Sequence, residues 1–305
     1  MSQAYLIYDE RMELHADQDE STKSARCERP QRIVSIIEKL MSLQSRLQRN
    51  HEIQEASPLN EITNSPFIYL ACEPASQETI ELAHTSDYYN RLKETSIMTI
   101  EELNNMQTIN LSIKDGSNEE DADMYFCNDT FQAALLACGG VKQCVDAVTS
   151  TDSQSRRALA IVRPPGHHAC QQKAMGFCFF NSVVVAAKHA IKSQRAKRVV
   201  IVDWDIHHGN GSQDMTYNDP DILYISIHRY GPKFFPGTGR ASEVGGGDDN
   251  VEAVGSNVNI AWTRGHMGNT EYAAVMSELI LPLMASFRPD LILVSCGLDA
   301  AKGGK

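Results

Sequence analysis

The sequence predicts an α/β fold, a three-layer α/β/α arrangement around a mostly parallel central sheet. Three observations predict it. Continuously apolar runs such as Val199-Val200-Ile201-Val202 and Leu291-Ile292-Leu293-Val294 suit strands buried on both faces of a parallel sheet. Helical periodicities separate several of these runs, and strand–helix alternation is how parallel strands are joined. Hydrophobic residues make up 42 % of the 305 residues and charged residues 22 %, enough apolar surface for a sizeable core and too little polarity for wholesale disorder.

Ala4 to Tyr8 is the first apolar run and reads as a strand. From Arg29 to Gln48, Ile33, Ile36, Ile37, Leu40, Leu43 and Leu47 recur at helical spacing. Pro30 falls in the first turn, where a missing N–H is tolerated. Asn50 to Pro66 is polar and loop-like, Phe67 to Ala71 a brief strand, and Ser76 to Asn105 a set of helical turns. Ile113 to Asp123 is the most acidic stretch and reads as a solvated loop. A helix rich in small residues is expected over Asp129 to Thr149. Strands follow at Ala158 to Val162, Arg198 to Asp203, Ile222 to Ile227, Ser256 to Ile260 and Leu291 to Ser295. The intervening helices are expected at Asn181 to Ser193, Ser212 to Tyr217 and Thr270 to Phe287. No repeat, low-complexity tract or Pro/Gly/Ser linker divides the chain, so residues 1–305 are read as one domain.

Lys and Arg number 28 against 39 Asp and Glu, a net charge of −11. That balance argues against direct nucleic-acid binding, which draws on a basic surface. The N-terminus meets acids before any apolar run long enough for a signal peptide, and no stretch of about 18 apolar residues predicts a membrane span. The eight cysteines include no C-x-x-C pair and read as reduced thiols, which fits the nucleus or the cytoplasm.

Three strand ends carry groups that suggest chemistry, and ligands of open α/β sheets bind at such ends. The first is Arg163-Pro164-Pro165-Gly166-His167-His168, where the Pro-Pro-Gly lead-in restricts the backbone before two imidazoles. The second is Asp203-Trp204-Asp205-Ile206-His207-His208-Gly209-Asn210-Gly211. Its Asp-x-Asp-x-His alternation has the period of an extended chain and predicts that Asp203, Asp205 and His207 share one side. Adjacent carboxylates repel unless a cation lies between them. The third is Ser295-Cys296-Gly297-Leu298-Asp299. Taken singly, a lone Asp reads as a cap and a His pair as structural; together they point to metal-assisted hydrolysis. Asp205, His207 and Asp299 would hold Zn²⁺ with open positions, and His167 and His168 would act as base and acid or electrostatic partner.

On these stretches, together with Gly176-Phe177-Cys178-Phe179-Phe180-Asn181, Phe235-Pro236-Gly237-Thr238-Gly239 and Gly297-Leu298-Asp299-Ala300-Ala301, the chain resembles zinc-dependent histone deacetylases. Weaker similarity reaches back to Tyr8-Asp9-Glu10-Arg11-Met12 and Glu28-Arg29-Pro30. Asn210, where class I members carry Asp, points to class II. The resemblance implies an arginase/deacetylase-like fold and hydrolysis of N-ε-acetyl-lysine in histone tails or other proteins, with corepressor-type partners and a role in chromatin regulation. It implies Asp205, His207 and Asp299 as zinc ligands, and His167 and His168 as the histidine pair. Asp203 would orient His167 and Asn210 would stand near His168. Phe177 and Phe235, with Gly176, would line the tunnel for the acyl-lysine stem, and Asp123, or Asp121, would be the rim acid. A structural K⁺ would sit at Asp203, Asp205, His207, Ser226 and Ile227. The tunnel would favour a neutral acylated side chain over a charged Lys, which faces desolvation.

Full-length family members continue past the Asp299 segment, and a later Gly-Gly-Tyr supplies an oxyanion-donating tyrosine that no tyrosine of this chain matches. The catalytic domain is therefore expected to be incomplete at its C-terminus. Because losing one oxyanion donor costs roughly 10²–10³ in rate, a chain ending at Lys305 is expected to have little or no activity. Leu291 to Ser295 is expected to lie at an exposed edge. Three alternatives stay open: an arginase- or agmatinase-like ureohydrolase, whose two-metal site asks for more carboxylates and histidines; an acetyl-polyamine deacetylase; and a silent acyl-lysine reader or scaffold.

Overall fold

The computed structural model describes residues 3–19, 27–54, 65–106, 124–231, 233–247 and 250–301. The expected acidic loop, with Asp121 and Asp123, lies outside the described residues. The strands pair in parallel throughout and divide into two sheets rather than forming the one sheet expected. In the smaller sheet, β1 (Ala4–Ile7) lies between β2 (Phe67–Tyr69) and β3 (Ala158–Ala160). In the larger, β4 (Val199–Asp203) lies between β5 (Ile222–Arg229) and β7 (Leu291–Ser295), with β6 (Asn257–Trp262) beyond β5.

Helices fill the connections, as parallel pairing requires. α1 (Gln31–Gln54), α2 (Gln77–Ile80), α3 (Ser86–Glu94), α4 (Ile100–Met106) and α5 (Thr130–Thr149) precede β3. α6 (Ser182–Lys192) and α7 (Asn210–Thr216) flank β4, and α8 (Asn269–Val275) and α9 (Leu281–Phe287) precede β7. α1 runs into the segment expected as loop from Asn50. β5 and β6 each extend two residues further than their apolar runs, because their outer ends keep pairing with each other through Arg229 and Trp262. The helix expected as one piece from Thr270 to Phe287 widens into a π turn at Met276–Ile280, just before Pro282, which has no N–H to donate to the turn behind it.

The pleat of β4 creates the layers. Val199 and Ile201 face a cluster with α5 and α6 that includes Cys138, Val145, Val184 and Ala187. Val200 and Val202 face the opposite cluster, with Ile225, Ile227, Val275 and Ile280. A third cluster, around Leu6, Ile7, Ile33 and Leu136, underlies the small sheet. All of β4 is buried, which accounts for its unbroken apolar run; each such side chain contributes about 1.5–3 kcal/mol. β7 departs from the two-sided burial its run predicts: Ile292 is 50 % and Val294 42 % exposed, because among the described residues no element covers that part of its surface.

Strand register brings the chemical groups together. Asp203 pairs with Ser226 on one side and Ser295 on the other. β4 and β7 therefore end level, and the segments that follow them emerge together at one edge of the sheet while β5 continues to Arg229.

Candidate functional site

Beyond Asp203 the chain bends instead of remaining extended, which corrects the expectation that Asp203, Asp205 and His207 share one side of a strand. Asp203 stays fully buried and faces inward. Tyr224 Oη lies 3.0 Å from its Oδ2, and the Asp205 N–H donates to its Oδ1 at 3.2 Å. Asp205 and His207 instead turn toward Asp299. His207 Nδ1 is 3.0 Å from both Asp205 Oδ1 and Asp299 Oδ2, and one donor atom from each of the three lies within 4.8 Å of the others. Backbone donors aim the carboxylates: the His207 N–H reaches Asp205 Oδ1 at 2.8 Å and the Ile206 N–H reaches Asp299 Oδ1 at 3.1 Å. Among the described residues this is the one cluster of three or more His, Cys, Asp or Glu arranged to hold a metal ion. Two carboxylates and one imidazole form an N/O donor set that Zn²⁺ accepts with positions left open.

The histidine pair stands beside this cluster, with ring centroids 3.9 Å apart. His167 Nδ1 pairs with Asp203 Oδ2 at 2.9 Å, and its Nε2 lies 3.9 Å from Asp205 Oδ2. His168 Nδ1 donates to Asn210 Oδ1 at 2.9 Å. Burial pushes the His167 imidazolium toward neutrality, but the Asp203 and Asp205 carboxylates more than reverse this and raise its pKa to about 9. Burial and the neighbouring His167 hold His168 well below its ordinary value, because a neutral amide gives no compensating charge. The two adjacent imidazoles are therefore chemically unlike.

Other sequence-predicted residues fall around them. Gly176 has φ 53°, and a Cβ there would come within 2.5 Å of His168 Cδ2 and 3.1 Å of Phe235 Cε1. The Phe235 ring stands edge-on to His168 at 4.9 Å. Phe177 is half-buried, has φ 67° and packs against the cluster beneath α6. Ser226 and Ile227 are fully buried on β5, Ser226 beside Asp203. Four neighbours of the site are not singled out by the sequence reading. Phe234 stacks on His207 at 5.1 Å and 5°, with the Arg229 guanidinium 4.7 Å from its ring centre; the Phe-Phe-Pro run was the signal. Tyr224, the partner of Asp203, had none, since its strand reads as core. Cys170 and Met175 accept from Asn210 Nδ2 at 3.5 and 3.4 Å, a contact that only folding creates.

A carboxylate–imidazole centre next to paired histidines, set at the carboxyl edge of a parallel sheet with helices on its faces, defines an arginase/deacetylase-like α/β protein. The comparisons narrow this to one family. The histone deacetylase domain model matches residues 26–305, and the chain belongs to that family. Histone deacetylase clr3 of Schizosaccharomyces pombe is 36 % identical over 98 % of this chain and 40 % of its own length. Polyamine deacetylase HDAC10 of Homo sapiens is 40 % identical over 77 % of this chain and 33 % of its own length. Among solved structures, the HDA15 HD domain superposes with a TM-score of 0.80 at 30 % identity, covering 100 % of this chain and 75 % of that one. The chain thus spans less than half the length of these two curated relatives. Among the described residues, no helix is long and apolar enough to cross a membrane.

Proposed function

We propose that residues 1–305 belong to a single deacetylase catalytic domain, and that the full-length protein carrying them hydrolyses N-ε-acetyl-lysine in histones or other acetylated proteins, using Zn²⁺ at Asp205, His207 and Asp299. The observation that carries the reading is the approach of two electrostatically unlike histidines to a three-donor cluster, with His167 Nε2 3.9 Å from Asp205 Oδ2. Zn²⁺ there would polarise an amide carbonyl and acidify a water molecule. The chain's own residues do the rest. Neutral His168, holding its proton on Nδ1 against Asn210, carries a lone pair on Nε2 and serves as the general base. His167, kept cationic by Asp203, stabilises negative charge developing at the carbonyl oxygen. Phe235 and Gly176 border His168 and, with Phe177 next in the chain to Gly176, accept the apolar stem of the substrate.

A structural K⁺ at Asp203, Asp205, His207, Ser226 and Ile227 is part of this proposal, supported by the buried register of Asp203 with Ser226. A place in nucleus or cytoplasm, corepressor-type partners and a role in transcriptional repression follow from the family likeness. Turnover of an acetyl-lysine peptide and of an acetylated polyamine by the full-length protein, before and after metal chelation and zinc re-addition, tests the reading. Chelator-sensitive cleavage of the peptide is expected. Preference for the polyamine would transfer the reading to small-amine substrates, and zinc binding without cleavage of either would leave only a binding protein.

Replacing Phe235 with alanine is expected to raise KM for the acetyl-lysine peptide by about tenfold with kcat little changed, since a ring that grips the stem contributes uniform binding worth about 1.5 kcal/mol. Phe177→Ala should behave alike. A lower melting temperature with unchanged KM would make either ring a core residue.

A further inference from the structure

We infer that Glu28, Arg163 and Tyr125 form a buried positioning cluster that sets the attitude of the His167–His168 pair; the inference rests on the deacetylase reading of that pair. Arg163 and Glu28 are each 1 % exposed and Tyr125 3 %. The guanidinium meets the carboxylate in a two-pronged contact, Nε to Oε1 at 2.6 Å and Nη2 to Oε2 at 2.8 Å. Its third nitrogen, Nη1, donates to Met12 O at 2.9 Å. Tyr125 Oη closes the cluster against Glu28 Oε2 at 2.9 Å and against Arg163 Nη2. Four segments remote in sequence, at residues 12, 28, 125 and 163, thus meet on one planar group.

A buried ion pair is a poor device for stability alone, since apolar residues of similar volume often serve as well or better. What the fork supplies is fixed geometry. Arg163 begins the segment that ends in the two histidines, and little slack separates them. Pro164 and Pro165 fix their own φ angles. Gly166 lies so close to the next loop that a Cβ would come within 2.8 Å of Ser182 N and 3.0 Å of Phe180 O. A tilt of the guanidinium is therefore passed along a stiff four-residue lever to His167. The cluster also reaches the tunnel loop: His15 stacks on Tyr125 at 4.6 Å and stands edge-on to Phe179 at 5.3 Å, two residues from Phe177. None of the three residues is assigned a contact with substrate or metal; they act through the histidines.

The test uses the full-length protein loaded with zinc and three variants: Tyr125→Phe, Arg163→Lys and the paired Glu28→Leu/Arg163→Met. Read out are kcat and KM on an acetyl-lysine peptide, melting temperature, zinc content, and the ¹⁵N resonances of the histidine rings. The paired variant should fold and bind zinc, yet lose roughly tenfold to a hundredfold in kcat with KM within about twofold, the size expected for misplacing a catalytic group. The His167 and His168 ring resonances should move in all three variants. Parent-like kcat and histidine resonances in a folded paired variant would overturn the inference. If that variant does not fold, unchanged histidine resonances in both Tyr125→Phe and Arg163→Lys would overturn it equally, and moved resonances would support it. Failure of the parent protein to cleave acetyl-lysine would remove the deacetylase reading, while the histidine resonances would still decide the positioning role.

Discussion

Asp299→Ala is expected to strip zinc from the protein and to lower acetyl-lysine turnover at least about a thousandfold, because Lewis-acid stabilisation worth several kcal/mol converts at 1.36 kcal/mol per tenfold. Asp205→Ala should do the same. Each carboxylate lies 3.0 Å from His207 Nδ1, and removing either leaves two donors where Zn²⁺ takes at least three from protein. The two variants should differ in one respect. Asp205 is also the neighbour of His167 Nε2 at 3.9 Å, so its loss disturbs the histidine pair as well as the metal, whereas Asp299 meets His207 and the Ile206 N–H. Elemental analysis after dialysis measures the metal, and circular dichroism checks that the variants remain folded. Full zinc content in both would sink the assignment.

The second large effect concerns the histidines. His168→Ala is expected to reduce kcat by about 10²–10⁴, the usual range for a lost general base, while leaving zinc bound. His167→Ala should also cost activity, but through a different term. It removes a cation from between Asp203 and Asp205, leaves the fully buried Asp203 carboxylate uncompensated, and should therefore lower the melting temperature as well. His168, paired with the neutral Asn210 amide, leaves no buried charge behind when it goes. Comparing kcat, KM and thermal melting of the two variants separates the roles. A His168 variant that keeps most of its turnover would contradict the proposal.

Much of the architecture is legible in the sequence because it depends on local patterns. Val199 to Val202 can be placed as a strand buried on both faces since every side chain there is apolar, and all of β4 is buried. Asn181 can be placed at a helix start since its side chain caps Val184 N. The candidate residues Asp205, His207, Asp299, His167 and His168 could be singled out as a set, because three strand ends bearing such groups together are harder to explain as caps or core than any one of them alone, and the first three do converge. Where local pattern misled, a long-range constraint had taken over. The Asp-x-Asp-x-His spacing suggested one extended face, yet the strand ends at Asp203, whose carboxylate is claimed by His167 and Tyr224, and the following residues turn toward Asp299.

Sequence alone determined which side chains are candidates for the chemistry and which strands deliver them, because those properties are written in residue type and in periods of two or about 3.6. Tertiary structure alone decided how the groups differ from one another. The pairing of Asp203 with Ser295 brings the ends of β4 and β7 level, which sets Asp205 and His207 against Asp299, more than 90 residues onward. Contact with Asp203 in one case and Asn210 in the other makes two adjacent histidines unlike. The junction of Glu28 with Arg163, 135 positions apart, anchors the segment that holds them. Charge, burial and hydrogen bonding act through space over a few ångströms, and separation along the chain carries no record of such distances until the sheet has formed.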